Sequence, residues 1–317
     1  MKLLRLYLLL GFLLCPWAAA WAAPIVLDAH PRGLLLGETG QLQWLADARG
    51  TLTLDDVRAP AQAVRFVPAP HPQPRGGGAQ AHWFKVELTQ RATTGDWVLA
   101  THTTALKDVR FYGPFDAAGQ ALASPVHTGL SQPFATRPLG SERYLLRLQL
   151  PGPGTYTVYA RLLNETAATL DLSVWDTAEY LQWRQHKRLF DGICYGILLA
   201  LLVYNLVLAA SFRDTSYGFY IGQCAFALLT LANFNGHAAH YLWSDGPWWS
   251  ERGNVVLPSL WLLLGTLFAR SFLETRQVPW LDRLVQAVAV LAVGTALLGL
   301  GGRFGVAQTL NELLASA

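Results

Sequence analysis

Phe190-Asp191-Gly192-Ile193-Cys194-Tyr195-Gly196-Ile197-Leu198-Leu199-Ala200-Leu201-Leu202-Val203-Tyr204-Asn205-Leu206-Val207-Leu208-Ala209-Ala210-Ser211-Phe212 decides the architecture of this 317-residue chain. Beyond Asp191 it carries no charge, and it exceeds the roughly 20 apolar residues that cross a hydrocarbon core. It therefore reads as a membrane span over 190–212. Similar stretches follow at 217–233, 255–272 and 284–300, and a further one begins at Gly305. Short turns with Arg213-Asp214 and Arg270 to Arg283 separate them. The longer loop His237 to Arg252 carries Trp243, Trp248 and Trp249, the aromatic belt expected at an interface. The segment 189–317 is thus expected to be a transmembrane helical bundle. Stopping after four or so spans, it reads as a fragment of a longer one.

Upstream, the character changes. Lys2 and Arg5, the apolar run Leu8 to Leu14, and Ala20-Trp21-Ala22 read as a signal peptide over 1–22 with cleavage before Ala23, in preference to an uncleaved anchor or a lipid-attachment signal at Cys15. Residues 23–178 then show short alternating runs, each closed by turn residues. They are Leu42 to Leu45, Trp83 to Leu88, Trp97 to Ala100, Asp108 to Tyr112, Tyr144 to Leu150, Tyr156 to Leu162 and Leu170 to Trp175. Period-two runs with Gly/Pro punctuation predict an antiparallel all-β sandwich. One phrase is helical, Leu52 to Val57, with Thr53 placed to cap it and Asp56 three residues on. Residues 179–188, ending in Arg184-Gln185-His186-Lys187-Arg188, form a basic connector expected to run as helix into the first span.

Composition excludes several functions. Only 14% of residues are charged, against about 25% in soluble domains, and the net charge is +3. No basic stripe exists to neutralise phosphates, so nucleic acid is not an expected partner. The three cysteines, Cys15, Cys194 and Cys224, leave the exported block without any, so it folds without disulfides. His and Cys lack metal-ligand spacing, His71 and His82 included, and neither a metal nor a cofactor is expected. No paired carboxylates, Ser/His/Asp constellation or phosphate loop is evident, so the chain is not expected to be an enzyme.

Two groups of residues are candidates for function. In the exported block, Trp44, Trp83, Tyr112 and Phe134 are aromatics of the kind that stack on sugar faces, with Trp97 and Phe115 as further pieces. The ordinary role of such alternating aromatics is core. Arg137, before Pro138, either grips a ligand carboxylate or diol or braces its loop. In the bundle, Gly192 and Gly196 form a small-xxx-small pair that lets helices approach. Tyr204 and Asn205 interrupt the first span; Asn205 is expected as interhelical glue, with a signalling switch as the alternative. Arg213 and Asp214 are expected to pair or to cap the second span, and Asp191 to be solvated at the outer interface.

Orientation follows from charge. Export of the block at 23–178 puts the loops after the first and third spans inside. They hold Arg213, Arg270, Arg276 and Arg283, whereas the loop between the second and third holds only Arg252. The positive-inside rule agrees.

Several phrases, in order, resemble one family. Gly37, Trp44 to Asp47, Leu52 to Val57 and Phe66, then His82 to Val86, Asp108 to Tyr112, Thr128-Gly129, Pro133-Phe134 and Arg137-Pro138 are similar to the extracellular type 2 domain of bacterial seven-transmembrane receptors with diverse intracellular signalling modules. Leu130 stands where members usually have Asp. Asp191 to Leu206, Arg213 to Tyr217, Asn235-Gly236 with Tyr241 to Trp243, Phe268 to Thr275 and Pro279 to Arg283 resemble the membrane part of the same family. The resemblance implies a jelly-roll sandwich like those of carbohydrate-binding modules. It further implies a receptor of the bacterial inner membrane, with the sandwich periplasmic and a small ligand, carbohydrate-like in this reading, sensed there. The signal would pass to a cytoplasmic kinase, cyclase, phosphodiesterase or phosphatase module beyond Ala317, or to a partner. A complete membrane-anchored binding or adaptor protein is the alternative, and a transporter or membrane enzyme a weaker one. Self-association as a homodimer stays open.

Overall fold

The computed structural model describes residues 24–27, 33–63, 65–69, 75–76, 80–165, 168–212 and 215–316. The expected signal peptide, His71 and the Arg213-Asp214 pair lie outside the described residues.

Every strand-like run quoted above has its centre in a strand. The first sheet is built on β6 (Ala81–Gln90) and β11 (Gly154–Leu163), antiparallel along their whole length. It continues on one side through β8 (Asp108–Phe115) and β9 (Val126–Thr128), and on the other through β3 (Gln43–Asp47) and β4 (Val67–Pro68). β1 (Ile25–Leu27) adds to β6 in parallel. The second sheet runs β10 (Leu145–Leu150), β7 (Gly95–Thr101), β13 (Leu172–Asp176) and β2 (Leu34–Leu35). β5 (Arg75–Gly76) and β12 (Ala168–Thr169) form a small ribbon. The strands not expected from sequence are all two or three residues long, too short to show a period.

Phe84, Val86, Leu88, Leu99, Phe111, Tyr144, Leu146, Leu148, Val158 and Leu172 fill the space between the sheets. Full burial of each large apolar side chain is worth about 1.5–3 kcal/mol, which makes this core the main stabilising element of a block that has no cysteine.

Both outer faces of the sandwich are also covered. The first is closed by α1 (Leu54–Arg58), whose Val57 packs with Leu45, Trp83, Phe115 and Tyr159. Thr53 caps this helix as expected: its hydroxyl accepts from the Asp56 amide, and the Asp56 carboxylate accepts from the Thr53 amide. A short α2 (Pro60–Ala63) follows. The second face, formed by Val98, Ala100 and Leu145, is closed by Tyr180 and Trp183. Those two belong to the first membrane helix.

That helix, α3 (Thr177–Phe212), starts directly after β13 and runs 36 residues, about 54 Å. Asp176 ends the strand and caps the helix, its Oδ1 accepting from the amides of Ala178 (2.9 Å) and Glu179 (3.3 Å). Connector and span are one rigid rod. α4 (Thr215–Phe234), α5 (His237–Tyr241), α6 (Pro247–Phe272), α7 (Pro279–Leu300) and α8 (Phe304–Ser316) follow. By length and composition, α3, α6 and α7 are long and apolar enough to cross a membrane. The stretch expected as the second span is the 20-residue α4, made more polar by Gln223, Thr230 and Asn233. Helix α8, with 13 residues, is shorter than a span.

The bundle corrects the expected close approach of helices at Gly192 and Gly196. A Cβ placed on either glycine would meet nothing within 4 Å. The close approaches occur instead at Gly222 against Leu264, Gly265 against Gln223 and Gly299 against Val255. The reason is position: α3 sits at the edge of the bundle, packed mainly on α4, and its glycine face points outward. Asn205 is a second correction. Its Nδ2 donates to Leu201 O of its own helix (2.7 Å), which satisfies the group locally and does not join two helices. Interhelical hydrogen bonds come from Ser259 with Thr295 (3.1 Å) and Asn311 (3.0 Å), Ser216 with Ser271 (2.8 Å), and Asn233 with Asn254 (2.7 Å).

Candidate functional site

The polar groups converge where the sandwich meets the bundle. The loop before β10 places Glu142 over the first turns of α3. Its Oε2 accepts from Arg184 Nε (2.9 Å) and its Oε1 from Arg188 Nε (2.8 Å). Arg184 and Arg188 are one helical turn apart, so a single carboxylate spans them. Arg184 also donates to the carbonyls of Leu139 (3.0 Å) and Gly140. Leu139 is held at φ +57, a conformation that non-glycine residues seldom adopt, and it turns its carbonyl to the arginine.

Burial by itself would raise the Glu142 carboxyl. Hydrogen bonds from its own backbone, Arg188 and Arg184 outweigh that and hold it below the usual carboxylate range. The side chains of Glu142 and Arg184 are 10% and 11% exposed, so this is a largely desolvated pair whose partners depend on each other.

One turn further, Asp191 Oδ2 accepts from Lys187 Nζ (2.7 Å) and meets His237 Nε2 at 3.0 Å. Asp191 is 6% exposed, which corrects the expectation of a solvated residue. Its burial follows from the α4–α5 turn, which lays His237 over it. Asn235 in the same turn accepts from Lys187 (3.3 Å) and donates to Tyr195 (3.1 Å). His237 Nδ1 lies 3.7 Å from Glu142, so the two carboxylates share one imidazole between them.

Three further contacts cross the boundary. Thr104 donates to Phe234 O (2.6 Å), the Phe134 amide donates to Ser244 O (2.9 Å), and the Phe134 and His240 rings stack at 4.2 Å. Gly236, at φ +81, lies so close to Glu142 that an added Cβ would stand 3.1 Å from the Glu142 Cβ and carbonyl oxygen. The Tyr180 hydroxyl bonds Ser141 Oγ at 2.7 Å. Between these groups lies a cleft of about 230 Å³, lined by residues of both parts, Arg143, Trp183 and Lys187 among them.

The five residues singled out for ligand contact fall in three places. Trp83 is fully buried and stacks on Tyr112 (5.7 Å between ring centroids) beneath α1. Trp44 donates to His82 Nδ1 (3.1 Å) on the opposite face of the sheet. Phe134 and Arg137 do meet, at 4.8 Å, but inside the joint. Arg137 is 4% exposed, lies between the Phe134 and Tyr144 rings, and donates to the Glu142 carbonyl (2.7 Å). It braces the Glu142 loop and does not line the cleft. Burial pushes the Tyr144 phenol up to about 12, so it stays a neutral donor to Thr104 O (2.7 Å). Leu130 is nearly buried. Gly129 before it, at φ +139, would bring a Cβ to 2.3 Å from the Lys107 carbonyl oxygen, so glycine is required there. Tyr204 is 60% exposed on α3.

Sequence reasoning missed Glu142, Arg143, Trp183, Arg184 and His237. The one available signal was the basic run 184–188 directly before the first span.

The family model described as 7TMR-DISM extracellular 2 matches residues 39–176, and the one described as 7TM diverse intracellular signalling matches residues 187–314. No curated protein matches the chain.

Proposed function

Because the chain belongs to the seven-transmembrane receptors with diverse intracellular signalling, we propose that it is an inner-membrane receptor whose periplasmic sandwich senses a small ligand and turns or shifts α3 in response. The observation that carries this reading is the double grip of Glu142 on Arg184 and Arg188. A sandwich joined by a loose linker moves without consequence for the bundle. Here the sheet packs on Tyr180 and Trp183, the strand caps the helix, and a buried carboxylate locks two arginines of the rod. A displacement of the sandwich must therefore displace the rod.

The ligand drives the change through its differential affinity for two arrangements of this joint. Output belongs to a cytoplasmic module or partner, and α3 with α4, the helix it packs on, carries the motion toward it.

The test uses the full chain in lipid nanodiscs, without Cys194 and Cys224, and spin-labelled at Ser211→Cys and Leu273→Cys near the far ends of α3 and α6. Distances are measured with and without Glu142→Gln. Coupling predicts a changed distance distribution in the variant. Identical distributions would remove the basis of the reading.

A further inference from the structure

The geometry points to a small-oxyanion site in the cleft of the joint, where the guanidinium of Arg143, seated on the Trp183 ring, takes the carboxylate or phosphate group of a periplasmic solute or of a lipid headgroup. The inference rests on the reading of the joint as the place where ligand is sensed.

Charge bookkeeping in the cleft is the first observation. Arg143, Arg184, Lys187 and Arg188 line it together with only two carboxylates, Glu142 and Asp191. Both carboxylates are already engaged, Glu142 by Arg184 and Arg188, and Asp191 by Lys187 and His237. Among the described residues, Arg143 has no carboxylate partner. Its guanidinium lies 4.3 Å from the centroid of the Trp183 ring. Stacking uses the flat face of the group and leaves the N–H edge free, the arrangement that presents paired donors to a carboxylate or phosphate.

Desolvation is the second. Burial pushes the Arg143 guanidinium below its ordinary value, opposed only weakly by the Tyr180 phenol. A cation withdrawn from water without a counter-charge is unfavourable, and an anion entering the cleft removes that imbalance. Lys187, with its side chain 36% exposed, stands at the same cleft as a second cation.

Size restricts the occupant. At about 230 Å³ the cleft lies below the usual range for whole drug-sized ligands, roughly 300–1,000 Å³. It holds an acidic group and little more, so an acidic sugar, a short organic acid or a phosphate head fits, and a neutral oligosaccharide does not. Occupancy would fall between Arg143 of the sandwich and Lys187 of α3, so binding acts on the joint itself.

The test is isothermal titration calorimetry of the full chain in phosphatidylcholine nanodiscs with inorganic phosphate, D-galacturonate and neutral D-galactose as probes. Saturable binding of phosphate or galacturonate, with galactose silent, is expected. Arg143→Met should weaken it by about tenfold or more, the loss of a charge-assisted bidentate contact. Arg143→Lys should recover part of it. Arg147→Met, which removes an exposed arginine paired with Asp96 outside the cleft, should leave it unchanged. Among the described residues Arg143 holds no ion pair, so its variants are expected to lose only the contact with Trp183 and to melt close to the wild type, which is checked in parallel.

A second set of discs containing phosphatidylglycerol separates the sources. Weakened phosphate binding there marks the lipid headgroup as occupant, and unchanged binding marks a soluble solute. Absence of oxyanion binding in phosphatidylcholine, or equal binding by Arg143→Met, overturns the inference. Oxyanion binding that leaves the spin-label distances untouched would uphold the site and count against the receptor mechanism, so the two failures are distinguishable.

Discussion

Glu142 Oε2 and Arg184 Nε stand 2.9 Å apart across the boundary between the sandwich and the first membrane helix. Removing one side of a buried pair leaves the other charge uncompensated, a loss of about 3–5 kcal/mol. Glu142→Gln is therefore expected to loosen the joint by that order. Hydrogen exchange over residues 177–188 should rise in the variant while exchange in β6 and β11 stays at the wild-type level. Uniform exchange across both regions would mean that the pair does not hold the joint.

The same carboxylate gives the joint a pH dependence. Its folded pKa lies below the ordinary value of 4.5. A depressed carboxyl contributes stability that is complete above the unfolded value and is lost as pH falls through the folded one. The difference in melting temperature between wild type and Glu142→Gln should thus shrink as pH falls below the ordinary carboxylate value of 4.5. A difference that grows in that acid range has the wrong sign for this group.

Tyr180 ties the rod to the sheet in two ways, by burial at 1% exposure and by its hydrogen bond to Ser141. Tyr180→Phe removes only the bond, for about 1 kcal/mol. Tyr180→Ala also opens a cavity, and large aromatic truncations in cores cost about 3–5 kcal/mol. Denaturant unfolding of the two variants should separate them in that order.

Gly236 is fixed by its positive φ and by its contact with Glu142. Gly236→Ala is expected to destabilise by about 1–3 kcal/mol, the range for a side chain forced into this backbone region. Its thermal shift should persist in a Glu142→Gln background, because glutamine keeps the Cβ and the carbonyl oxygen that the added methyl would meet. A shift that vanished in that background would mean that the carboxylate, and not the backbone at Gly236, carries the strain.

Gly196 provides the opposite case. With open space at its Cβ position, Gly196→Ala should leave the single chain intact and raise helix stability by about 0.5–1 kcal/mol, the usual advantage of alanine over glycine in a helix. Analytical ultracentrifugation in detergent would report whether a second copy uses this face. Weaker self-association in the variant would place a homodimer contact there.

Local pattern is enough to divide this protein into an exported block and a membrane part. Alternation in Trp83 to Leu88 and Tyr156 to Leu162 specifies strands, uninterrupted apolar length in 190–212 specifies a span, and Thr53 with Asp56 specifies a cap, because each depends on neighbours within a few residues. The site, by contrast, comes from long-range packing. Glu142 meets Arg184 and Arg188 from more than forty positions away, and Asp191 meets His237 from 46 away. Those meetings depend on how the sandwich seats on the rod, which no local pattern encodes. For the same reason Gly192 and Gly196 looked like packing residues: a small-residue pair shows that a helix can be approached closely, and only the arrangement of the bundle decides whether a neighbour lies on that side.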